Sequence, residues 1–219
     1  MNKELRNRIF SSIIIAPLTI YLIYKGSFIF FFFILLCYFI SVYEWTLMSK
    51  KKRYFLPGVI FLTFSFINVY LLRYNFSNEI SLYLFFFVVI TCIFTDIGGY
   101  LFGKVFKGPK LTKISPNKTI AGVIGSYLLP IFFINFFFNN FCSNFFLNNT
   151  YIFKMNILIM ILLVSTVSQI GDLIISYFKR ISNINDTGKI IPGHGGILDR
   201  IDGMIFAIPF FYLIIRFLF

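Results

Sequence analysis

Histidine and tryptophan each occur once in this chain, cysteine three times, and charged residues fill only 13% of its 219 positions. The cysteines, Cys37, Cys92 and Cys142, are dispersed without a CxxC spacing, and the first two lie in apolar runs. That pattern excludes a disulfide framework and a thiolate metal centre. Glutamate stops at Glu79, after which the only acids are five aspartates. No base-stacking module or soluble basic domain accompanies the positive charge, so no nucleic-acid partner is expected. The first apolar segment, IFSSIIIAPLTIYLIY, lacks a small-x-small cleavage site and is followed by further spans, so it reads as a retained signal-anchor helix.

What is present in excess is apolar. Hydrophobic residues make up 58% of the chain, with 33 phenylalanines, and the mean hydropathy is +0.86. Runs long enough to cross a bilayer recur, with the charges between them. The expected fold is an all-α polytopic membrane protein, one membrane-embedded domain over residues 1–219, with about seven spans near 9–24, 27–48, 57–72, 80–98, 120–138, 155–178 and 204–218. Of the 20 Lys and Arg, only Lys25, Arg73, Lys154 and Arg216 fall on one side of this arrangement. The side rich in Lys and Arg is expected to be cytoplasmic, together with the N-terminus. The run KKKR, Lys50–Arg53, fits topology and attraction to anionic headgroups.

The acids Asp96, Asp172, Asp186, Asp199 and Asp202 all sit at or near the cytoplasmic ends of spans. Carboxylates so close to hydrocarbon need a cation or water, and their convergence suggests a hard cation with oxygen ligands. Three stretches within residues 95–203 hold the polar chemistry. In the first, Asp96 ends span four, and Gly98, Gly99 and Gly103 permit close backbone approach. Ser115 and Pro116 read there as the cap and first position of span five, and Lys118 beside the free amides makes a phosphate seat. In the second, Ser168, Asp172, Ser176 and Lys179 fall on one helical stripe. The third, IIPGHGGILDRIDG, joins Pro192, His194, Gly195 and Gly196 to Asp199 and Asp202, spaced by three as if to bracket Mg²⁺. Arg200 there would hold phosphate or pair with an acid, and His194 would donate to a phosphate, act as acid or base, or simply be a bonded loop residue.

The segment SYFKRISNINDTGKIIPGHGGILDRID, Ser176 to Asp202, resembles the signature of phosphatidate cytidylyltransferases, also called CDP-diacylglycerol synthases. That pattern has a serine, a Lys-Arg pair, a Lys-Asp pair, Pro-x-His-Gly-Gly and a closing Asp-Arg-x-Asp. Ser176, Lys179, Arg180, Asp186, Pro192, His194, Gly195, Gly196, Asp199, Arg200 and Asp202 match it, and the similarity extends upstream through SPNKT to Asp96. Three positions depart: Asn185 stands where the family usually has Lys, and Ala121 and Ile175 where many members have Glu.

The resemblance implies that CTP and phosphatidic acid react to give CDP-diacylglycerol and pyrophosphate. It implies that Asp172, Asp199 and Asp202 hold one or two Mg²⁺, with a monovalent cation as a further option, and that Lys179 and His194 join them in catalysis. Substrate would be bound by Asp96, Ser115, Lys118, Ser176, Arg180, Asp186, Gly195, Gly196 and Arg200. Membrane lipids are expected as surroundings, a homodimer as the assembly, and a bacterial plasma membrane as the location. Two other classes fit the motifs less well. A CDP-alcohol phosphotransferase would need the run DGxxAR and two further aspartates, which are absent. A cation transporter would need acids reaching the opposite face.

Overall fold

The computed structural model of the chain describes residues 3–50, 52–111, 115, 118–141, 157–191, 193 and 195–218. Among these residues the secondary structure is helical, with isolated antiparallel bridges at Lys110–Thr119 and Ile191–Gly195 and no strand. The helices are α1 (Lys3–Lys25), α2 (Ser27–Ser49), α3 (Phe55–Tyr74), α4 (Asn78–Phe106), α5 (Ile120–Phe141), α6 (Ile157–Ile181), the single turn α7 (Leu198–Ile201) and α8 (Met204–Leu218).

Each of the seven expected spans overlaps a helix. Four helical stretches, Ser27–Ser49, Phe55–Tyr74, Glu79–Phe106 and Ile157–Ile181, are long and apolar enough to cross a bilayer, while Ile13–Lys25, Ile120–Ile134 and Met204–Phe217 are shorter apolar helices. The chain is an integral membrane protein. Phe28, Phe32, Phe39 and Phe132 lie exposed on helix surfaces, where lipid is the natural solvent. Val88, Cys92, Ile134, Ile161, Val164 and Ala207 form the centre of the buried core, contributed by α4, α5, α6 and α8.

α4 is the hub, packing on α3, α5, α6 and α8 and most extensively on α5. Small residues explain that closeness. A Cβ added at Gly98 would meet Gly125 O, and one at Gly122 would lie 2.7 Å from Gly99 O. The two backbones approach through glycines on both helices, the usual device where lipid removes the hydrophobic drive for association. α4 and α6 pack together, and Asp96 and Asp172 lie near each other between them. α7 lies beside α2 and leads into α8, which packs on α3 and α6.

Candidate active site

The stripe on α6 faces protein as its spacing predicts. Ser168 is buried against Gly203, and the Ser176 hydroxyl donates to Asp172 Oδ1 at 3.2 Å. Lys179 donates to Asp199 Oδ1 at 2.8 Å. Lys118 pairs with the other oxygen of Asp172, Oδ2, at 2.5 Å. Asp96, Lys118 and Asp172 line a cleft of about 290 Å³, together with Ser115, Thr119 and Gln169.

Asp202, directly after α7, turns toward the same charges. Burial, followed by the carboxylates of Asp172 and Asp96, pushes its carboxyl well above the usual carboxylate range; Lys179 and the Gly203 amide pull the other way. Asp96 lies within the field of Asp172, Lys118 and Arg200. Three carboxylates and at least two cations therefore gather between α4, α6 and the start of α8; α4 runs on to Phe106, so Asp96 lies inside the helix and does not end it as expected. All three acids offer oxygen, the donor type a hard divalent ion takes. Among the described residues no three acids, histidines or cysteines form a ready-made metal cage.

Two local readings of the sequence change. The cap of α5 is Thr119, whose Oγ1 accepts from Gly122 N–H at 3.1 Å, whereas Ser115 sits in the preceding loop and offers its carbonyl to Lys118 N–H. A hydroxyl one residue before the first helical residue makes a better cap than one five residues before it. Asp199, expected to share a metal with Asp202, has both carboxylate oxygens engaged. Its Oδ1 takes Lys179, and its Oδ2 takes Thr187 N–H at 2.8 Å and Gly196 N–H at 3.0 Å. The Gly196 amide, expected to face a phosphate, is thus committed to an internal anion. α7 is one turn long; Asp199 is bonded to the loop amides, whereas Asp202 lies in the field of Asp172 and Asp96, and Lys179 is near both.

Gly195 adopts φ +83°, a left-handed conformation, as the loop folds back so that Ile191 N–H donates to Gly195 O at 2.9 Å. Asp186 lies under that turn, its Cβ 3.3 Å from where a Gly195 side chain would begin. Arg180 is exposed and donates to Asn185 Oδ1 at 2.8 Å, so this departure from the family pattern supplies an acceptor that orients a cation. Ile175 is buried in an apolar cluster with Trp45 and Leu62, where a glutamate would have no place. Ala121 is absent from the cleft wall. His194 and Pro192 lie outside the described residues.

One acid that the motifs did not single out closes the far side of the loop. Glu44, from α2, is fully buried and bonds to Thr187, Ile197 and Leu198. Its only sequence signal was its type, an ionisable residue inside a span.

The chain matches the cytidylyltransferase family over residues 6–81 and 69–218. It belongs to that family. A phosphatidate cytidylyltransferase of Rickettsia typhi is 33% identical over 208 residues, covering 94% of this chain and 89% of the relative. One from Staphylococcus aureus strain COL is 33% identical over 177 residues, covering 77% of this chain and 63% of the relative. One from Staphylococcus haemolyticus is 33% identical over 175 residues, covering 76% and 62%. The chain spans less than two thirds of the staphylococcal relatives' length. For this family member, the stretch from Asp96 to Asp202 that carries the signature is also the stretch that supplies the cleft, the carboxylates and the loop.

Proposed function

We propose that this chain is a phosphatidate cytidylyltransferase, joining CTP to phosphatidic acid to give CDP-diacylglycerol and pyrophosphate. The observation that carries the reading is the gathering of Asp96, Asp172 and Asp202 with Lys118 and Arg200 between apolar helices, in a member of the cytidylyltransferase family.

The lipid phosphomonoester, with a second pKa of about 6, is largely dianionic at neutral pH and needs no strong base to become a nucleophile. Bringing two polyanions together is the harder task. Lys118, paired with Asp172 in the cleft, is positioned to move onto a substrate phosphate. Arg200 adds charge near Asp96, and Arg180, steadied by Asn185, offers an exposed cation at the aqueous edge. A lipid phosphate oxygen attacks the α-phosphorus of CTP, the new P–O bond forms, the α–β bridge breaks, and pyrophosphate leaves with the displaced electron pair. Fixed cations stabilise the charge that develops on it. Asp172 and Asp202, with Asp96 beside them, would hold one or two Mg²⁺, and a monovalent cation is a further option for the same oxygens. When bound, Mg²⁺ supplies Lewis-acid neutralisation of phosphate charge. Lys179 keeps Asp199 and the loop in place.

The finer architecture belongs to the same proposal. One membrane domain crosses a bacterial plasma membrane seven times, with the N-terminus and cleft cytoplasmic, as the distribution of Lys and Arg supports. CTP arrives from water and the lipid laterally from the bilayer. A homodimer follows from the family resemblance.

Label tracing tests the bond order directly. With phosphatidic acid and Mg²⁺ present, label at the α-phosphate of CTP should appear in lipid and label at the γ-phosphate in pyrophosphate. Label from the γ-position in lipid, or none in lipid from either position, would refute the reading.

A further inference from the structure

Glu44 is 0% exposed, and no ion pair to it occurs among the described residues, whose pairs are Lys118–Asp172 and Lys179–Asp199. It is an acceptor at all three of its contacts. Oε1 takes Ile197 N–H at 3.0 Å; Oε2 takes Leu198 N–H at 2.9 Å and the Thr187 hydroxyl at 2.9 Å. Space is closed around it, because a Cβ at Gly188 or Gly196 would run into the carboxylate. Thr187 is held twice, by its N–H to Asp199 and by its hydroxyl to Glu44. These contacts tie α2 to both ends of the loop 187–198 and to the start of α7, whose far end delivers Asp202.

We propose that Glu44 is a positioning residue: its carboxylate clasps the signature loop and thereby sets Asp202 against Asp172 and Asp96. It is fully buried and acts through Thr187, Ile197 and Leu198. A buried acceptor bonded to backbone amides tolerates little displacement, since each donor that leaves is exposed to an unpaired state. The kinetic part of this inference rests on the proposed cytidylyltransferase activity; the structural part does not.

The test compares full-length Glu44→Gln, Thr187→Val, their double variant and Ser41→Ala with wild type, all purified in detergent. Ser41 is equally buried on α2, but among the described residues its hydroxyl bonds only to Cys37 O within its own helix. Glu44→Gln keeps the volume and turns one acceptor into a donor that faces another donor. Trypsin cleavage after the exposed Lys189 should accelerate in Glu44→Gln at a temperature where the variant, though destabilised, is still folded. Its kcat should fall about 10- to 100-fold, as when a partner orienting a functional ligand is removed, with KM for phosphatidic acid unchanged. Mn²⁺ binding read by paramagnetic resonance should weaken in parallel. The double variant should be no worse than Glu44→Gln, and Ser41→Ala should match wild type. A folded Glu44→Gln with wild-type cleavage and kcat overturns the proposal. So does a loss of kcat that follows a fall in Tm equally in Glu44→Gln and Ser41→Ala. If wild type itself does not turn over CTP with phosphatidic acid, the proposed activity fails, while faster cleavage after Lys189 in folded Glu44→Gln than in Ser41→Ala still supports the clasp.

Discussion

Lys118 and Asp172 face each other across the cleft at 2.5 Å, with side chains 28% and 26% exposed. The lysine occupies an acid that the proposed metal and nucleotide would both address. Lys118→Met should therefore raise Mn²⁺ affinity in the absence of nucleotide by about fivefold, the scale of roughly 1 kcal/mol for a partly exposed pair. Turnover should fall about 100- to 1000-fold through lost charge stabilisation. Paramagnetic resonance titration and initial rates measure the two; weaker Mn²⁺ binding together with unchanged turnover would contradict the exchange of partners.

Asp199 and Asp202 should separate under the same substitution. Asp199→Asn leaves the largely buried Lys179 without its carboxylate and weakens the hold on Thr187 and Gly196, so stability should drop by about 2–4 kcal/mol. Asp202→Asn removes one of three mutually repelling carboxylates, so Tm should hold or rise while turnover and Mn²⁺ binding are lost. Thermal scans and rates on both variants decide it, and an equal loss of stability in the two would show that Asp202 is structural as well.

The pH dependence of the metal-free protein follows from Asp202, whose carboxyl is pushed up by burial and by Asp172 and Asp96. A raised carboxyl binds more protons folded than unfolded. Its contribution is complete below the unfolded carboxylate pKa of about 4 and is lost as pH rises through the higher folded value. Tm without Mg²⁺ should fall over that window, and Asp202→Asn should flatten the fall. Added Mg²⁺ should flatten it as well, by favouring the ionised form. A wild-type slope that matches Asp202→Asn would rule this group out as the cause.

Gly98→Ala adds a Cβ against the Gly125 carbonyl where α4 and α5 touch. Forcing the backbones apart should cost about 1–3 kcal/mol. Gly99→Ala supplies the control, since its added Cβ would sit 3.8 Å from Gly122 O, an ordinary contact, and its Tm should stay near wild type. Equal effects in the two would mean that helix propensity, not the approach of α5, sets the loss.

The sequence made the helical spans legible because long apolar runs leave few other structures in a bilayer, and it revealed the α6 stripe because polar residues spaced by three and four stand out there. Gly98, Gly99 and Gly103 likewise announced a close approach; their partners Gly122 and Gly125 gave it a direction. The roles of Asp199 and Asp202 were not legible. Their spacing of three assumed a continuing helix, whereas α7 is a single turn and the loop folds its own amides onto Asp199. Glu44 was hidden for a different reason. Its partners lie 143 to 154 residues away in sequence, and no local pattern records such a distance. The cap at Thr119 was missed because the Ser-Pro pair nearby carries the same chemistry.

The most direct measurement is pyrophosphate release and CDP-lipid formation by the purified protein in liposomes, omitting CTP, phosphatidic acid and Mg²⁺ in turn. The account predicts turnover with all three, none when any one is left out, and one pyrophosphate released for each CDP-lipid formed. Well-folded protein that makes no CDP-lipid with all three present, or that releases pyrophosphate from CTP without phosphatidic acid, would contradict it.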